Sequence, residues 1–431
     1  MTKYDDRKID WTGKVMNDKY VLIKKIGFGS YATVWLSYDL VKHQYVAIKI
    51  SNRRDILTAI NEVINYKTIE ELKSKYLIKP IEIFEHENNF YDDDEVSIEH
   101  NKHHCIVMEL LGSSLYGILK TQHYKSNVKY VNIINILKQV LMGLYDLHEH
   151  NIIHGDIKPE NILIKNSTNQ YNKTIKMLDL NKIKGKKKII DHIIKKQSKL
   201  NSKLSDDSSS SLSEYSDNIS EFSYFSSDYD KLELSSDEGY DDDYNDDDHS
   251  EYKKEHESHK FNYSDLNIQI VDYGECHFPK MRKKREVQTC YYKSPEILLW
   301  LPYTTSSDMW AFGCMMIELL TQTIMFDADE YDGNNERHHL YLINCCFGNF
   351  PKAMINKSPR KDIFFSKDLN RIKGYNKIDD TLNINSLIDV IKTTYEIPNI
   401  FELSDFINKV FDYNNETRIT AKDALNHNLF K

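Results

Sequence analysis

The stretch HGDIKPEN, residues 154–161, runs directly into the apolar segment ILI, residues 162–164, and is the most specific pattern in the chain. A short apolar run of this kind predicts a buried strand. Immediately before it stand a carboxylate, an ammonium group and an amide, on Asp156, Lys158 and Asn161. We expect these three side chains to converge on one site.

The region before this stretch is rich in predicted strands. The runs VLIKKI, ATVWLSY and YVAIKI, within residues 20–50, contain β-branched and aromatic residues and are separated by turns. Between the first two runs lies GFGSYATV, residues 27–34, whose glycines Gly27 and Gly29 let backbone amides approach a phosphate closely. Glycine pairs also occur in plain hairpin turns, so this loop does not decide the function by itself.

The last of these strands ends in Lys49, after the apolar residues 46–48. A buried lysine needs an anionic partner. The apolar residues of the segment that follows recur at helical spacing, and Glu62 on that helix can supply the partner. We predict that Lys49 and Glu62 pair and hold the α- and β-phosphates of a nucleotide. The alternative is a surface lysine at a strand end, which the three apolar residues before it disfavour.

A second carboxylate follows a strand in IVDYG, residues 270–274. Asp272 and Asn161 offer only oxygen ligands, the kind that Mg²⁺ prefers, and we predict that they hold the metal. The segment KMLDLN, residues 176–181, has a similar shape, but Asn181 replaces the glycine and a lysine-rich tract follows. We therefore reject Asp179 as the metal ligand.

The motif TCYYKSPE, residues 289–296, predicts further contacts with the loop at 154–161. We expect Thr289 to form hydrogen bonds with Asp156 and Lys158. Buried Glu296 needs a cation, and Arg418 is the expected partner. Asp308 is expected to cap a central helix and to brace the catalytic loop.

Taken together, these elements suit transfer of a phosphoryl group from ATP. The reaction needs a carboxylate to orient the attacking hydroxyl and accept its proton, a cation on the γ-phosphate, and magnesium ligands. Asp156, Lys158 and Asn161 fit these roles in that order, with Thr289 completing the catalytic set. The expected cofactors are ATP and Mg²⁺.

The ordered set resembles the eukaryotic protein kinase family over about residues 20–430, apart from an insert. This resemblance implies an α+β, two-lobed protein kinase fold with a small β-rich N-lobe, a large α-helical C-lobe and ATP in the cleft. It also implies that backbone groups of Glu109 and Leu111 hold the adenine. The nucleotide site implied in this way consists of Ile26, Gly27, Gly29, Val34, Ala47, Lys49, Glu62, Glu109 and Leu111.

Finer features resemble the SR-protein kinases, which phosphorylate arginine–serine-rich proteins. The residues that carry this resemblance are 27–39 and 108–115, together with an insert just after the catalytic loop. Lys158 and Thr289 resemble serine/threonine kinases rather than tyrosine kinases. The resemblance implies a protein substrate with serine or threonine hydroxyls, and an Arg/Ser-rich one if the subfamily holds.

Three positions depart from that subfamily or from most kinases. Tyr273 replaces the usual Phe or Leu, Pro295 restores the common Ser/Ala-Pro-Glu form that SR-protein kinases lack, and Gly155 stands where most kinases have arginine. In many kinases that arginine pairs with a phosphate on the activation segment. We therefore predict activity without activation-segment phosphorylation.

The insert separates two parts of the C-lobe. Residues 205–251 contain 17 Asp or Glu and one Lys, so this tract holds the negative charge of a chain with net charge −9. Such a composition predicts disorder. We prefer a passive solvated loop to a regulatory or anchoring segment. The predicted boundaries are an N-terminal extension at 1–19, the N-lobe at 20–111, the first part of the C-lobe at 112–181, a mostly disordered basic and acidic insert at 182–262, and the rest of the C-lobe at 263–431.

The beginning of the chain, MTKYDDRKID, is polar and does not predict secretion. The longest strongly apolar stretch, residues 309–320, is too short to span a membrane and predicts a buried helix. Six cysteines without metal-binding spacing indicate free thiols in the cytoplasm or nucleus. The lysines of 182–203 are not interleaved with aromatic residues, so no direct nucleic-acid partner is expected.

Three alternatives remain open. The first is that the chain is a pseudokinase or ATP-binding scaffold, which the presence of Lys49, Asp156, Asn161 and Asp272 disfavours. The second is that it is a dual-specificity kinase of a related group that also acts on tyrosine. The third concerns the acidic residues within 327–336, which either attract a basic peptide or form a solvated loop.

Overall fold

The strand-forming runs of residues 20–50 lie in one antiparallel sheet in a computed structural model of the chain. The structure describes residues 9–29, 31–53, 56–87, 102–121, 128–165, 171–206, 263–279, 287–328, 335–375, 379 and 381–431. The sheet has six strands in the order β1-β2-β3-β4-β6-β5. The strands are β1 (Val15–Met16), β2 (Tyr20–Phe28), β3 (Ala32–Asp39), β4 (Gln44–Ser51), β5 (Pro80–Glu87) and β6 (Lys102–Glu109).

The predicted helix after β4 is α1 (Ile56–Glu70). Its buried residues Ala59, Glu62, Tyr66 and Ile69 recur at intervals of three and four, which places them on one helix face. That face turns a carboxylate and an aromatic ring towards the sheet and the cleft, whereas Leu57 and Ile64 remain exposed on the outside.

The C-lobe is mainly helical, as predicted. A two-stranded antiparallel ladder, β7 (Ile162–Lys165) with β8 (Asn267–Ile270), lies at its upper edge. The helices are α2 (Leu115–Leu119), α3 (Tyr130–His148), α4 (Asn172–Leu178), α5 (Lys186–Asp206), α6 (Pro295–Leu298), α7 (Ser306–Thr321), α8 (Asn335–Phe347), α9 (Lys352–Lys357), α10 (Lys361–Phe364), α11 (Ile384–Thr394), α12 (Ile400–Val410) and α13 (Ala421–Leu425). The largest apolar core joins α3 and α7 to the C-terminal helices.

Helix α7 runs through the middle of this core, and its residues from Ser307 to Leu320 are all buried. Close packing is possible at Gly313, where an added Cβ would lie 2.8 Å from the Phe411 ring. A helix that is buried on every face has neighbours on every side. It therefore provides a fixed base for the loops above it.

The predicted long-range pair forms beside α7. The Arg418 guanidinium donates to both oxygens of Glu296, over 2.6 and 2.9 Å, with both side chains almost fully buried. Bidentate charged pairs of this kind fix geometry as well as contributing energy. The pair attaches the end of the activation segment to the C-terminal part of the chain.

The N-terminal side of the sheet extends further than predicted. Residues assigned to an extension at 1–19 contribute β1, which pairs with β2 through Val15 and Met16. Trp11 and Met16 are buried in an apolar cluster on one face of the sheet. The strand is only two residues long, so its sequence carries no periodic signal.

The start of the predicted insert is helical and packed. Residues 182–206 are described, and α5 covers most of them, whereas residues 207–262 lie outside the described residues. Ile189 and Ile193, four residues apart, are buried in a cluster that joins this segment to β2 and β3. Tyr38 of β3 donates a hydrogen bond of 2.8 Å to Asn181. The isoleucines within 189–194 recur at helical spacing and form an apolar stripe. The many lysines around them hid this pattern in the sequence.

No helix among the described residues is long and apolar enough to cross a membrane. The disorder predicted for 205–251 falls on residues outside the described set, apart from the first two. Of the acidic stretch at 327–336, Glu336 pairs with Lys293 and Arg360, whereas residues 329–334 lie outside the described ranges.

Candidate active site

Lys49 lies at the centre of the upper half of the site. It is on β4, and its Nζ atom lies 2.6 Å from Glu62 Oε1 of α1 and 2.9 Å from Asp272 Oδ1 after β8. These are the partners that the sequence predicts for the nucleotide phosphates and the metal. Three charged groups from separate elements, up to 223 positions apart, therefore meet in one place.

The charges in this cluster support one another. Burial favours the neutral form of Asp272, but the nearby Lys49 ammonium outweighs it and lowers the pKa of Asp272 to about 2. Burial also opposes the charge on Lys49, and Asp272 and Glu62 outweigh that effect and raise its pKa above the ordinary value. At neutral pH the site therefore holds the Lys49 ammonium against the ionised Asp272, whereas burial outweighs Lys49 at Glu62 and raises the pKa of that carboxyl.

The lower half of the site forms around Asp156. Lys158 Nζ lies 3.0 Å from Asp156 Oδ2 and donates a hydrogen bond of 2.7 Å to Thr289 Oγ1. The Thr289 hydroxyl donates in turn to Asp156 Oδ1 over 2.7 Å. Burial opposes the charge on Lys158, but Asp156 outweighs it and raises the lysine pKa. The predicted contacts of Thr289 with both residues are present.

Asn161 connects the two halves. Its amide nitrogen donates to the backbone oxygen and to Oδ2 of Asp156, over 2.8 and 3.0 Å. Its backbone oxygen accepts from Val271, directly before Asp272, over 3.0 Å. Its side-chain oxygen is buried and has no hydrogen-bond partner among the described residues. Since buried polar atoms are normally paired, this oxygen and the ionised Asp272 fit a magnesium ion.

The loop that carries Asp156 is held from below. Asp308 of α7 accepts hydrogen bonds from the backbone amides of His154 and Gly155, over 2.8 and 3.0 Å. His148 contacts the same carboxylate at 3.0 Å. Asp308 therefore braces the catalytic loop as predicted. The predicted cap of α7 by Asp308 is not formed: Thr305 is the N-cap residue directly before the helix, and no side-chain hydrogen bond caps that end, because the Asp308 carboxylate accepts from the catalytic loop instead.

His154 has a structural role in the catalytic loop. Its ring contacts the backbone oxygen of Val271 at 3.2 Å and accepts from the Asp156 amide, also over 3.2 Å. It also packs edge-on against Tyr273, with ring centroids 5.9 Å apart. These contacts link the catalytic loop to the segment that carries Asp272.

Two residues that sequence reasoning missed complete this link. Tyr66 packs against Tyr273 with ring centroids 4.8 Å apart, and Asn65 donates to the backbone oxygens of Tyr273 and Cys276, each over 2.8 Å. Both residues lie on α1, three and four positions after Glu62, where a helix places neighbours on one face. This spacing from Glu62 is the sequence pattern that could have identified both residues.

The remaining residues predicted to bind the nucleotide lie on the sheet and at the connection that follows it. Val34 pairs with Gly27 and Lys49, and Ala47 pairs with Met108 on β6. Ile26, Val34 and Ala47 belong to one apolar cluster, which can receive a flat, weakly polar ring. The Gly29 amide donates to Ala32, closing the turn between β2 and β3.

Glu109 and Leu111 lie at the connection between the lobes. Glu109 ends β6, and its side chain pairs with Lys165 of β7 at 3.1 Å. Leu111 is buried in the main core, and the Gly112 amide donates to Ile164 over 2.7 Å. The chain from Glu109 to Gly112 is therefore held against β7.

Asp179, the rejected metal ligand, lies away from this group. Its carboxylate is about half exposed and pairs with Lys182 at 2.7 Å. The residue adopts a left-handed conformation at the end of α4. The glycine criterion thus selected the carboxylate that lies beside Lys49.

Comparison with known proteins gives a consistent assignment. A family model described as the protein kinase domain matches residues 20–204 and 259–430. The serine/threonine-protein kinase SRPK of Physarum polycephalum is 28% identical, over 96% of this chain and 86% of its own length. The protein kinase dsk1 of Schizosaccharomyces pombe is 25% identical, over 94% of this chain and 79% of its own. The dual specificity protein kinase lkh1 of that yeast is 22% identical, over 96% of this chain and 47% of its own.

Proposed function

This chain belongs to the protein kinase family, whose domain model matches most of its length, and we propose that it transfers the γ-phosphoryl group of ATP to serine and threonine hydroxyls of proteins. The observation that carries this proposal is the convergence of Lys49, Asp156, Asn161 and Asp272 on one site, with Lys158 and Thr289 beside the Asp156 carboxylate. Phosphoryl transfer depends chiefly on positioning and electrostatic stabilisation, and this arrangement supplies both.

Asp156 is proposed to orient the attacking hydroxyl and to accept its proton. Its carboxylate is held on one oxygen by Thr289 and on the other by Lys158 and Asn161. A carboxylate fixed on both sides has little freedom to leave its reactive position. Lys158 is placed to offset negative charge that develops on the transferred group.

Lys49 is proposed to bind the α- and β-phosphates while Glu62 holds it in place. Its contact with Asp272 keeps that carboxylate ionised. Asn161 and Asp272 would hold Mg²⁺, which when bound supplies positive charge between the β- and γ-phosphates. The adenine is proposed to lie against Ile26, Val34 and Ala47 and to meet backbone groups of Glu109 and Leu111, with the amides of Gly27 and Gly29 at the phosphates.

The substrate class is proposed to be basic, Arg/Ser-rich protein. Similarity to the kinase named SRPK supports this class, as do residues 27–39 and 108–115. A peptide array provides the test. It should carry Arg-Ser repeats, matched Lys-Ser repeats and serine peptides flanked by acidic residues, with Ser→Tyr versions of each. We expect preferential labelling of the Arg-Ser repeats.

Equal labelling of the acidic peptides would overturn the substrate class and leave the kinase activity intact. Labelling of the tyrosine versions would instead indicate dual specificity, as the name of one relative suggests for that relative. The pseudokinase alternative is not favoured, because every chemical group that transfer requires is present and correctly grouped.

A further inference from the structure

A cavity with a volume of about 590 Å³ lies beside the connection between the lobes. It is bounded by Val46 of β4, the linker at 74–80, Glu109, Lys165 and Gln269. Side chains alternate between the two faces of a strand, so Val46 faces away from its neighbour Ala47. Because Ala47 belongs to the proposed adenine cluster and Val46 to the cluster on the opposite face, the cavity lies on the other face of β4 from the adenine cluster, and Glu109 borders both.

Positive groups surround the cavity. Lys75 is exposed at its edge, Lys79 is half-buried and donates to the backbone oxygen of Glu70, and Lys165 pairs with Glu109 at 3.1 Å. Three ammonium groups beside one carboxylate leave the cavity net positive. A ligand with carboxylate groups would therefore be favoured there.

One residue that lines the cavity has a buried acceptor. Gln269 of β8 is only 5% exposed, and its amide nitrogen donates to the Lys75 backbone oxygen. Its side-chain oxygen has no hydrogen-bond partner among the described residues. A buried acceptor without a donor costs free energy, so a ligand that brings an N–H group would be stabilised. Carboxylates combined with N–H donors are the chemistry of an acidic peptide.

The chain itself carries such a peptide. It is described as far as Asp206, at the end of α5, and again from Tyr263, which lies four residues before β8, the strand that contains Gln269. Between these two points, residues 205–251 hold 17 acidic residues and one lysine. Tethering ahead of β8 raises the local concentration of this tract at the cavity. We propose that an acidic segment of residues 205–251 binds this cavity and is anchored by Lys75, Lys79 and Gln269.

The lysines of α5 offer the matched comparison. Lys187 and Lys188 are exposed and lie closer in sequence to the acidic tract than Lys75 and Lys79 do. They lie on a convex helix surface, and attraction between exposed charges is weak and screened by salt. If charge alone governed the contact, the acidic tract would bind these two lysines in preference to Lys75 and Lys79.

Zero-length carbodiimide cross-linking of the full chain, followed by peptide mass spectrometry, tests the proposal. We expect links from Lys75 and Lys79 to acidic residues of 205–251, enriched about tenfold over those from exposed Lys357 and Lys422 because of tethering. Links concentrated on Lys187 and Lys188, or spread evenly over exposed lysines, would overturn it.

Two charge-reversal pairs complete the experiment. Lys75→Glu with Lys79→Glu should shorten the half-life of the acidic tract in limited proteolysis, whereas Lys187→Glu with Lys188→Glu should leave it unchanged. The exposed single variant Lys75→Glu serves if the double variant melts at a lower temperature than the parent. Equal half-lives in both pairs would contradict the proposal. Neither pair touches the proposed catalytic residues, so failure here leaves the proposed kinase activity intact.

Discussion

Thr289 Oγ1 donates a hydrogen bond of 2.7 Å to Asp156 Oδ1, across 133 positions of sequence. The same hydroxyl accepts from Lys158 Nζ, also over 2.7 Å. One side chain from the activation segment thus holds both charged groups of the catalytic loop. The geometry of the proposed base depends on a segment that is distant in sequence.

Replacing Thr289 by valine should therefore lower kcat about 10- to 100-fold, because the Asp156 carboxylate loses the partner that positions it. Thr289→Ser retains the hydroxyl and should keep most of the activity. Steady-state kinetics on one peptide substrate, with melting temperatures recorded for both variants, makes the comparison. Equal kcat values for the valine and serine variants would show that the hydroxyl has no positioning role.

The presence of glycine at position 155 leads us to expect that activity does not require a phosphorylated activation segment. The residue has φ of +78°, and an added Cβ would lie 2.8 Å from the backbone oxygen of Glu275. No side chain at this position can receive a phosphate. We expect the same kcat before and after phosphatase treatment of the purified chain. A large fall after treatment, reversed by rephosphorylation, would disprove this prediction.

Glu318 predicts a pH dependence of stability. Burial, opposed by the hydrogen bond from Tyr292, raises the pKa of this carboxyl from 4.5 to about 7. The folded state binds this proton more tightly than the unfolded state does. The contribution of protonated Glu318 to the stability of the fold is therefore complete below pH 4.5 and is lost as the pH rises through 7. Between pH 5.5 and 8 the wild type should lose about 2 kcal/mol relative to Glu318→Gln.

Urea unfolding of both proteins at the two pH values measures this difference. Parallel changes in the free energy of unfolding would mean that Glu318 titrates normally. Because glutamine can still accept the hydrogen bond from Tyr292, the comparison isolates the charge of the carboxyl group.

Much of the candidate site was predictable because its charges lie in short motifs. A buried charge needs a partner, so Lys49 with Glu62 and Glu296 with Arg418 could be paired before any coordinates were known. The packing of Tyr66 against Tyr273 was not predictable in this way. An aromatic residue does not specify its neighbour, and this contact depends on how α1 docks.

The insert shows that the sequence also does not specify which whole helices pack against the sheet. Residues 186–196 read as a lysine-rich tract, yet Ile189 and Ile193 pack against the sheet. The stability of that helix comes from tertiary burial of its apolar stripe rather than from its composition. Similarly, β1 exists because β2 offers it a partner, and its two residues give no signal alone.

Transfer of radiolabelled γ-phosphate from ATP to a protein acceptor, by wild type and by Asp156→Asn, tests the central claim most directly. The substitution keeps the size of the side chain and removes the proposed base. The account predicts strong labelling by wild type and a loss of about 10²- to 10⁴-fold in the variant. Absence of transfer by wild type, or equal transfer by both proteins, would contradict it.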